Sequence, residues 1–373
     1  MIRYQPLSDF LTEYTLRNDN NQYRPVAVGR YGIRTRDSIY TKELAKDYSK
    51  NKVIYQNTLT VGMGSVQIDI GILTENIRYS VSPAYHTYQI QNINPAYLRY
   101  CLECRNHDMF TRFVKRGSRQ GKSIDLKRWL TYEIPVFDER EQTEIVAVLD
   151  RVTTQVENRH EQLELFEQLV KSRFIELFGD PVSNTKNLPE LTLPELGEFG
   201  RGVSKHRPRN DPQLLGGKYP LIQTGEVANA ELYITSFANT YSELGLQQSK
   251  MWQAGTLCIT IAANIAKTAI LTFNACFPDS VVGFKANNKT NNIFIHYWFS
   301  FFQAILEAQA PESAQKNINL KILSELKIIV PPIEQQRAFV DFVEQTDKSK
   351  LAVQKSLNEL ETLKKSLMQQ YFG

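Results

Sequence analysis

Two long stretches of the chain carry apolar residues at a spacing of seven positions. The first runs from Glu141 to Leu177 and contains neither glycine nor proline. A stripe with this period is typical of a helix that packs along another helix as a coiled coil. We therefore predict one long helix here, with the stripe Leu149, Val156, Leu163, Val170 and Leu177.

The second stretch lies near the carboxyl terminus and has a similar apolar seam. Glycine and proline mark the limits of both stretches, because these residues end helices or precede them. Gly179, Asp180 and Pro181 follow the first stretch, and Pro331 and Pro332 precede the second. The second predicted helix carries the seam Phe339, Val343, Val353, Leu357, Leu360, Leu367 and Tyr371.

The remaining segments alternate short apolar runs with turn residues, a pattern typical of compact domains. Thr256–Ile261 has the composition of a buried strand, and Tyr97–Phe113 is predicted to be helical. We predict the fold class α+β (mixed α/β), with two globular heads and two long helices. The predicted limits are 1–137 for the first head, 138–180 for the first long helix, 181–332 for the second head and 333–373 for the second long helix.

The chain also contains an internal repeat. Residues 123–142 and 317–336 match at a constant offset of 194 positions. A repeat of this length predicts that one structural unit, a head followed by a long helix, is used twice. Aligned pairs at this offset are Ile124 with Ile318, Leu126 with Leu320, Lys127 with Lys321, Ile134 with Ile328, Gln142 with Gln336 and Phe178-Gly179 with Phe372-Gly373. Further upstream the match is looser and includes small insertions, so that Asn57–Leu59 faces Gly255–Leu257 and Ile72–Thr74 faces Ile270–Thr272.

Positive charge is concentrated in the two heads. The 373-residue chain has a formal net charge of +4, but residues 1–137 hold 20 basic and 12 acidic residues. Residues 181–332 hold 13 basic and 11 acidic residues, whereas residues 138–180 hold 5 and 11. Phosphate contacts supply most of the sequence-independent affinity for nucleic acid. The partition therefore predicts heads that lie on DNA and helices that face protein.

Two basic clusters in the first head are the candidate DNA contacts. Both place arginine beside glycine and small polar residues, the composition that contacts to base edges and phosphates from loops require. Surface charge that meets only solvent is the alternative for each single residue. The first cluster is Arg30, Tyr31, Arg34 and Arg36, and the second is Lys115, Arg116, Ser118, Arg119, Gln120 and Lys122.

The overall composition is that of an ordinary globular protein, with 42% hydrophobic and 23% charged residues. No window approaches 18 consecutive apolar residues, and the first residues show no signal-peptide pattern. We therefore expect a cytoplasmic protein without a membrane segment.

One cysteine cluster invites comparison with zinc sites. Cys101, Cys104 and His107 form a C-x-x-C-x-x-H pattern. A structural zinc site needs four ligands, and the sequence offers no second pair. Thiols buried on the apolar face of a helix are the other interpretation. We predict no metal and no cofactor.

Motifs that hint at catalysis are all incomplete. Asn94-Pro95-Ala96-Tyr97 resembles the Asn-Pro-Pro-Tyr motif of amino-methyltransferases, but alanine replaces a proline, and a helix start explains the segment better. Gly117–Ser123 is one residue short of a phosphate-binding loop. Pro278-Asp279 with Lys285 hints at a nuclease metal site, but Gly283 stands where a carboxylate is needed. We therefore predict no catalytic residues.

The duplicated order of head, long helix, head and long helix resembles the specificity subunits of type I restriction-modification systems. The resemblance covers essentially the whole chain. The first long helix departs from the family pattern, because Pro135-Val136-Phe137-Asp138 precedes it instead of a double proline. The segments that carry the resemblance are 318–337 with its Pro331-Pro332-Ile333-Glu334-Gln335-Gln336-Arg337, the closing helix 360–373, the first-half partners 124–142 and 166–181, and Tyr219–Ile222, Thr224–Val227 and Ser313–Asn319 in the second head.

The resemblance implies two target-recognition domains separated by an antiparallel coiled-coil pair of long helices. Each domain would read one half of a bipartite, asymmetric site in double-stranded DNA. The helices would bind two methyltransferase subunits, which bind S-adenosylmethionine, and motor-nuclease restriction subunits would join the complex. The candidate DNA contacts of the second head are Lys205, Thr224, Gly225, Lys267, Ser313, Gln315 and Lys316.

Two other functions stay open at this point. A coiled-coil scaffold or adaptor that binds only proteins would show no affinity for phosphate and no preferred DNA sequence. A free-standing nuclease or methyltransferase with a degenerate motif would act on DNA as a single chain. An assay of the purified chain with labelled S-adenosylmethionine and DNA separates the enzyme from the other two.

Overall fold

The computed structural model describes residues 3–30, 32–36, 47–117, 121–262, 265–309 and 318–373, and for 116–117 and 304–309 it describes the backbone alone. The chain forms two compact units. The first contains Met1–Glu161 and Gln354–Gly373, and the second contains Gln162–Val353. Each unit therefore holds one head and one half of each long helix. The four predicted segment limits stay a prediction.

The first head is built mainly of strands, followed by short helices and the first long helix. Its elements are β1 (Arg3–Pro6), β2 (Leu11–Glu13), β3 (Val26–Gly29), β4 (Gly32–Thr35), β5 (Lys52–Ile54), β6 (Thr58–Met63), β7 (Ile68–Leu73), β8 (Tyr79–Val81), β9 (His86–Ile90), α1 (Pro95–Cys104), α2 (Asn106–Phe113), β10 (Val114–Gly117), β11 (Gly121–Ile124), α3 (Leu126–Trp129), β12 (Glu133–Val136) and α4 (Glu139–Phe178).

The second head has a similar succession and leads into the second long helix. Its elements are β13 (Glu190–Leu191), α5 (Leu193–Leu196), β14 (Gly197–Arg201), β15 (Leu215–Leu221), α6 (Thr224–Asn229), β16 (Tyr233–Ile234), β17 (Asn239–Tyr241), α7 (Glu243–Gln247), β18 (Met251–Trp252), β19 (Leu257–Thr260), β20 (Thr268–Leu271), β21 (Ala275–Cys276), β22 (Val281–Ala286), α8 (Asn292–Gln309), α9 (Leu320–Glu325), β23 (Ile328–Ile329) and α10 (Ile333–Phe372).

The two heads contain the same core sheet. The strand order is β2-β9-β6-β7 in the first head and β14-β22-β19-β20 in the second, where β16 is added at the edge. The registers agree as well, because Leu59 pairs with Ile72 in the first sheet and Leu257 with Ile270 in the second. These are the residues that the sequence repeat aligns. The predicted repeat is therefore confirmed at the level of single residue pairs.

The turn before the β6–β7 hairpin has the same conformation as the turn before the β19–β20 hairpin. Asn57 and Gly255 have φ angles of 62° and 85°, in the left-handed region that glycine and asparagine adopt most easily. The backbone N–H of Asn57 donates to the Leu73 carbonyl, and that of Gly255 donates to the Leu271 carbonyl, both at 2.7 Å. The repeat thus preserves the backbone conformation even where the residue type differs.

A buried glutamine attaches the start of each long helix to its head. Gln142 Oε1 accepts the backbone N–H of Asn94 at 2.9 Å, and Gln336 Oε1 accepts the hydroxyl of Thr290 at 3.0 Å. Each glutamine also donates from Nε2 to the carbonyl five residues before it, at 2.9 Å in both units. Buried amides are costly to leave without partners, so these bonds specify how each helix leaves its head.

The long helices agree with the apolar stripes. Helices α4 and α10 each contain 40 residues, and the five stripe positions of α4 are all buried or half-buried. The chain turns after α4 at Gly179, which has a φ of 76°. Glycine adopts this angle without strain, whereas a residue with a side chain is strained there. Both helices and their end signals are therefore confirmed.

Contacts within each unit show that the helices run in opposite directions. In the unit Gln162–Val353, the Phe174 ring lies 5.3 Å from the Phe339 ring, and the Glu167 carboxylate lies 3.9 Å from Lys350 Nζ. Residue numbers thus rise along one helix as they fall along the other. In the other unit, Arg159 Nε donates to the Ser356 hydroxyl. The antiparallel arrangement that the resemblance implies is confirmed.

The last aromatic residue of a long helix packs in the core of each unit. Phe372, the end of α10, packs 5.2 Å from Tyr97 of α1, and Phe178, the end of α4, packs 5.2 Å from Phe294 of α8. Phe178 and Phe372 are aligned by the repeat and are both fully buried. Each head is therefore completed by a helix end that comes from the other half of the sequence repeat.

The segment Asn94–Tyr97 begins helix α1, as predicted. The Asn94 side chain accepts the backbone N–H groups of Ala96 and Tyr97 at 2.9 and 3.2 Å, and Pro95 occupies the first turn. The predicted helical stretch that ends at Phe113 is divided, because Arg105 leaves helical geometry between α1 and α2. Within the described ranges, no helix combines the length and apolar content needed to span a membrane.

Candidate nucleic-acid interface

The first basic cluster lies on the hairpin of β3 and β4. Gly32 follows the tip with a φ of 75°, so a residue with a side chain is strained there. Arg30 lies at the tip and Arg34 on β4, both exposed, and Tyr31 lies outside the described residues. Arg30 and Arg34 are therefore exposed residues of one hairpin.

A broad groove of about 960 Å³ runs beside this hairpin. Its lining contains four basic residues, Arg30, Arg34, Arg99 and Lys364, and four acidic residues, Glu75, Glu103, Asp150 and Glu157. Arg99 Nη2 lies 3.3 Å from the Asp150 carboxylate, so part of the positive charge is compensated. Arg36 is half-buried instead, with its guanidinium 5.8 Å from the centre of the Tyr48 ring. The structure therefore separates Arg36 from the two exposed arginines of its cluster.

The second basic cluster lies on the hairpin of β10 and β11, and its lysines bind groups of the same head. Lys115 Nζ lies 2.5 Å from Asp125, and this hydrogen bond and the Arg128 backbone N–H lower the pKa of that carboxyl. Lys122 Nζ donates to the Ser65 carbonyl at 2.5 Å. Ser118, Arg119, Gln120 and the side chain of Arg116 lie outside the described residues.

The candidates of the second head fall into separate places. Thr224 and Gly225 form the first turn of α6 and are half-buried. Lys267 lines a cavity of about 250 Å³ together with His296 and Lys350. Lys205 lies on the exposed loop after β14. Ser313, Gln315 and Lys316 lie outside the described residues, so no single surface with all seven candidates is visible.

The same exposed loop carries two arginines that sequence reasoning missed. Arg207 and Arg209 follow Lys205 on a loop where residues 205–210 are all exposed. The signal was present in the run Arg201-Gly-Val-Ser-Lys-His-Arg-Pro-Arg209, which has four basic residues in nine positions. Of this run the sequence-based prediction includes Lys205 alone, because no spacing in the run indicates which residues face outward.

Burial favours the uncharged forms of Cys101 and His296, two side chains that elsewhere act as nucleophiles or metal ligands. Burial raises the pKa of the Cys101 thiol to about 12 and lowers the pKa of the His296 imidazole to about 4. Cys104 Sγ donates to the Met368 carbonyl at 3.5 Å. Across the described ranges, no set of three or more His, Cys, Asp or Glu residues is placed to hold a metal ion. Cys101 is fully buried, whereas Cys104 and His296 are half-buried. A buried thiol in apolar surroundings is poorly suited to act as a nucleophile.

Comparison with known proteins shows which family this chain resembles. Residues 190–362 match the family model of the type I restriction modification DNA specificity domain. A relative named putative type I restriction enzyme MjaX specificity subunit, from Methanocaldococcus jannaschii, is 23% identical over 284 residues, which cover 74% of this chain and 67% of that protein. The predicted resemblance to type I specificity subunits is confirmed.

Two solved structures share the fold of this chain. The type I restriction-modification S subunit from M. genitalium has a TM-score of 0.57 at 14% identity, covering 100% of this chain and 96% of that one. A chain in a structure of a type I restriction-modification system has a TM-score of 0.58 at 17% identity, covering 99% and 97%. The predicted fold class, mixed α and β with long paired helices, is therefore confirmed over the length of the chain.

Proposed function

We propose that this specificity subunit reads a bipartite, asymmetric site in double-stranded DNA, one half with each head. The observation that carries the proposal is the repeated sheet, with the same strand order and register in both heads. Two copies of one scaffold with different loops suit the recognition of two different short sequences. The chain then supplies recognition and no catalysis, and we place it in the cytoplasm, where it meets the chromosome.

The distribution of basic residues supports DNA as the ligand of the heads. Residues 1–137 carry eight more basic than acidic residues, whereas residues 138–180 carry six more acidic than basic ones. Arg30 and Arg34 are exposed on one hairpin of the first head. Arginine on an exposed hairpin can contact phosphates or the edges of guanines. The first head therefore has the positive charge that favours DNA binding, and the first long helix does not.

Exposed leucines at repeated positions support two equivalent protein partners. Leu169 on α4 and Leu363 on α10 are aligned by the offset of 194 and are 47% and 46% exposed. Apolar residues at equivalent exposed positions suit two copies of the same partner. In this proposal they bind two methyltransferase subunits, which carry S-adenosylmethionine, and motor-nuclease restriction subunits join that assembly.

The partner surface can be tested with one substitution in each unit. We expect Leu169→Glu and Leu363→Glu each to weaken the binding of one methyltransferase subunit by about 30-fold or more, because a buried apolar contact becomes a charge. Each single variant should then form a complex with one such subunit instead of two. The mass of the purified complex, measured by light scattering, reports this number.

Leu351 offers a matched control. It is 71% exposed on α10, but its aligned residue in the first half is Glu157. Leu351→Glu should therefore leave two partner subunits bound. Two bound subunits in both Leu169→Glu and Leu363→Glu would contradict the proposed pair of partner sites.

A second test concerns the exposed arginines of the first head. We expect Arg30→Ala or Arg34→Ala to weaken specific binding by about 1 to 3 kcal/mol if the residue contacts a base. If it contacts phosphate, the slope of log affinity against log salt should fall in magnitude by about one. Titration of a labelled duplex at several salt concentrations measures both quantities. Unchanged affinity and slope in both variants would exclude this hairpin from the DNA surface.

The function as a whole is tested by the methylation of a host genome. A host that expresses this chain with its methyltransferase should carry methylated adenines in a motif with two defined halves and an undefined spacer. A host genome without such a motif, together with a purified chain that shows no preference among duplexes, would favour a scaffold that binds only proteins.

A further inference from the structure

The loop between β14 and β15 of the second head is basic, exposed and firmly attached. Residues 205–210 are all exposed and include Lys205, Arg207 and Arg209. The loop begins at Gly202, where an added Cβ would lie 2.2 Å from the Phe277 carbonyl oxygen. Only glycine therefore allows the loop to leave the sheet at this position. We call residues 202–211 the basic loop.

Several hydrogen bonds hold the backbone of the basic loop. Gln248 Oε1 accepts the backbone N–H groups of Lys205 at 2.7 Å and of His206 at 3.1 Å. The Ser249 hydroxyl donates to the Val203 carbonyl at 2.7 Å. These partners lie more than 40 positions away in the sequence and belong to the same head. A loop held in this way presents its side chains from a fixed position, which limits the conformational entropy lost on binding.

Asp279, on the turn before β22, contacts two arginines of the basic loop. Arg209 Nη2 donates to Asp279 Oδ1 at 2.6 Å, and Arg207 Nη2 lies 3.7 Å from Oδ2. Arg207 also donates from Nη1 to the carbonyls of Ser204 and His206, so it braces the loop. The side chains of Arg207, Arg209 and Asp279 are 55%, 45% and 37% exposed.

The Arg209 guanidinium has more N–H donors than its hydrogen bond to Asp279 uses. Across the part of the chain that the structure describes, its hydrogen bond to Asp279 is made by Nη2 alone. A guanidinium has five N–H donors in a planar fork, so the remaining donors can serve a further acceptor, and the Arg209 side chain is 45% exposed. These donors suit a DNA acceptor, either guanine O6 and N7 or two phosphate oxygens.

We propose that Arg209 is a DNA-contacting residue of the second head and that Asp279 is the residue that positions it. This inference rests on the proposed function and assigns one contact within it. Arg207 serves as a brace of the basic loop. Asp279 acts through Arg209, because a carboxylate near DNA has no favourable interaction with phosphate unless a cation lies between them.

The experiment uses the full-length chain and duplexes selected from a random library. We expect Arg209→Ala to bind the selected duplex about 5- to 160-fold more weakly. A base contact predicts that only binding to the selected duplex is weakened. Arg209→Lys lacks the planar fork, so it should bind that duplex nearly as weakly as Arg209→Ala does. A phosphate contact predicts a similar loss for a scrambled duplex, a salt slope smaller by about one and near-parental binding by Arg209→Lys.

The positioning role is tested by a double-mutant cycle. Asp279→Asn should also weaken binding, and the double variant Arg209→Ala with Asp279→Asn should bind no more weakly than Arg209→Ala alone. Lys321 and Glu325 form an exposed ion pair at 3.8 Å on α9 of the same head and provide the control. Lys321→Ala and Glu325→Gln should bind as the parent does. Equal thermal unfolding midpoints show that each variant is folded.

Distinct results overturn the inference and the proposed function. If the parent selects a defined sequence and Arg209→Ala binds it equally well, the assignment of Arg209 is wrong. If the losses from Arg209→Ala and Asp279→Asn add in the double variant, Asp279 does not act through Arg209. A parent chain that selects no sequence at all contradicts the proposed function itself.

Discussion

If the proposed function is right, exchange of residues 1–137 for the equivalent head of a similar chain is expected to change one half of the recognised DNA sequence and to leave the other half intact. The main core of each unit is built from residues of that unit alone, from Leu7 to Leu149 with Met368 and Phe372 in one, and from Val170 to Val343 in the other. Replacing one head therefore leaves the main core of the second unit unchanged.

The junctions of such an exchange follow from the contacts that the first head makes with the long helices. The incoming head must keep an aromatic residue at position 97, because Tyr97 packs against Phe372. It must also keep the backbone N–H at position 94 available to Gln142. Sequencing of duplexes selected from a random library, or of methylated sites in a host, then reads both halves of the site.

The reciprocal exchange provides the control. Replacement of residues 181–332 should change the other half of the recognised sequence and preserve the first. If either exchange altered both halves, the heads would not read DNA independently, and the repeat would need another explanation.

Replacement of Phe174 by alanine is expected to lower the free energy of unfolding of the unit Gln162–Val353 by about 3 to 5 kcal/mol. Phe174 is fully buried, and its ring lies between 4.9 and 5.3 Å from those of Phe178, Phe294, Phe301 and Phe339. This ring joins the end of α4, helix α8 and the start of α10. Its loss leaves a cavity that surrounding rings cannot easily fill.

Denaturant unfolding measures the effect, and hydrogen exchange assigns it to one unit. Amide protection in β19 and β20 should fall, whereas protection in β6 and β7 should change little. Ile175 is the matched control, because it follows Phe174 directly but is 45% exposed. Ile175→Ala should lower the free energy of unfolding by less than about 1 kcal/mol. Equal losses for the two variants would show that the aromatic cluster does not stabilise this unit.

The long helices and the duplicated heads could be predicted from the sequence because their signals are local or periodic. A seven-residue apolar stripe describes one face of a helix wherever that helix lies. Gln142 and Gln336 are aligned by the repeat, and each donates from Nε2 to the carbonyl five residues before it. Residues that match in sequence thus make the same hydrogen bond in both units. Leu59 and Leu257 likewise occupy the same register.

The roles of individual charged residues could not be predicted in this way. The charge of Lys115 and Lys122 predicts DNA contacts, yet each of these lysines binds an acceptor within its own head. Arg209 and Asp279 are 70 positions apart, and no local pattern connects them. Which charges meet depends on how loops without periodicity are brought together by the folded sheet. The sequence alone therefore determined the helices, the repeat and the partition of charge, whereas the tertiary structure decided which basic side chains are bound internally and which face outward.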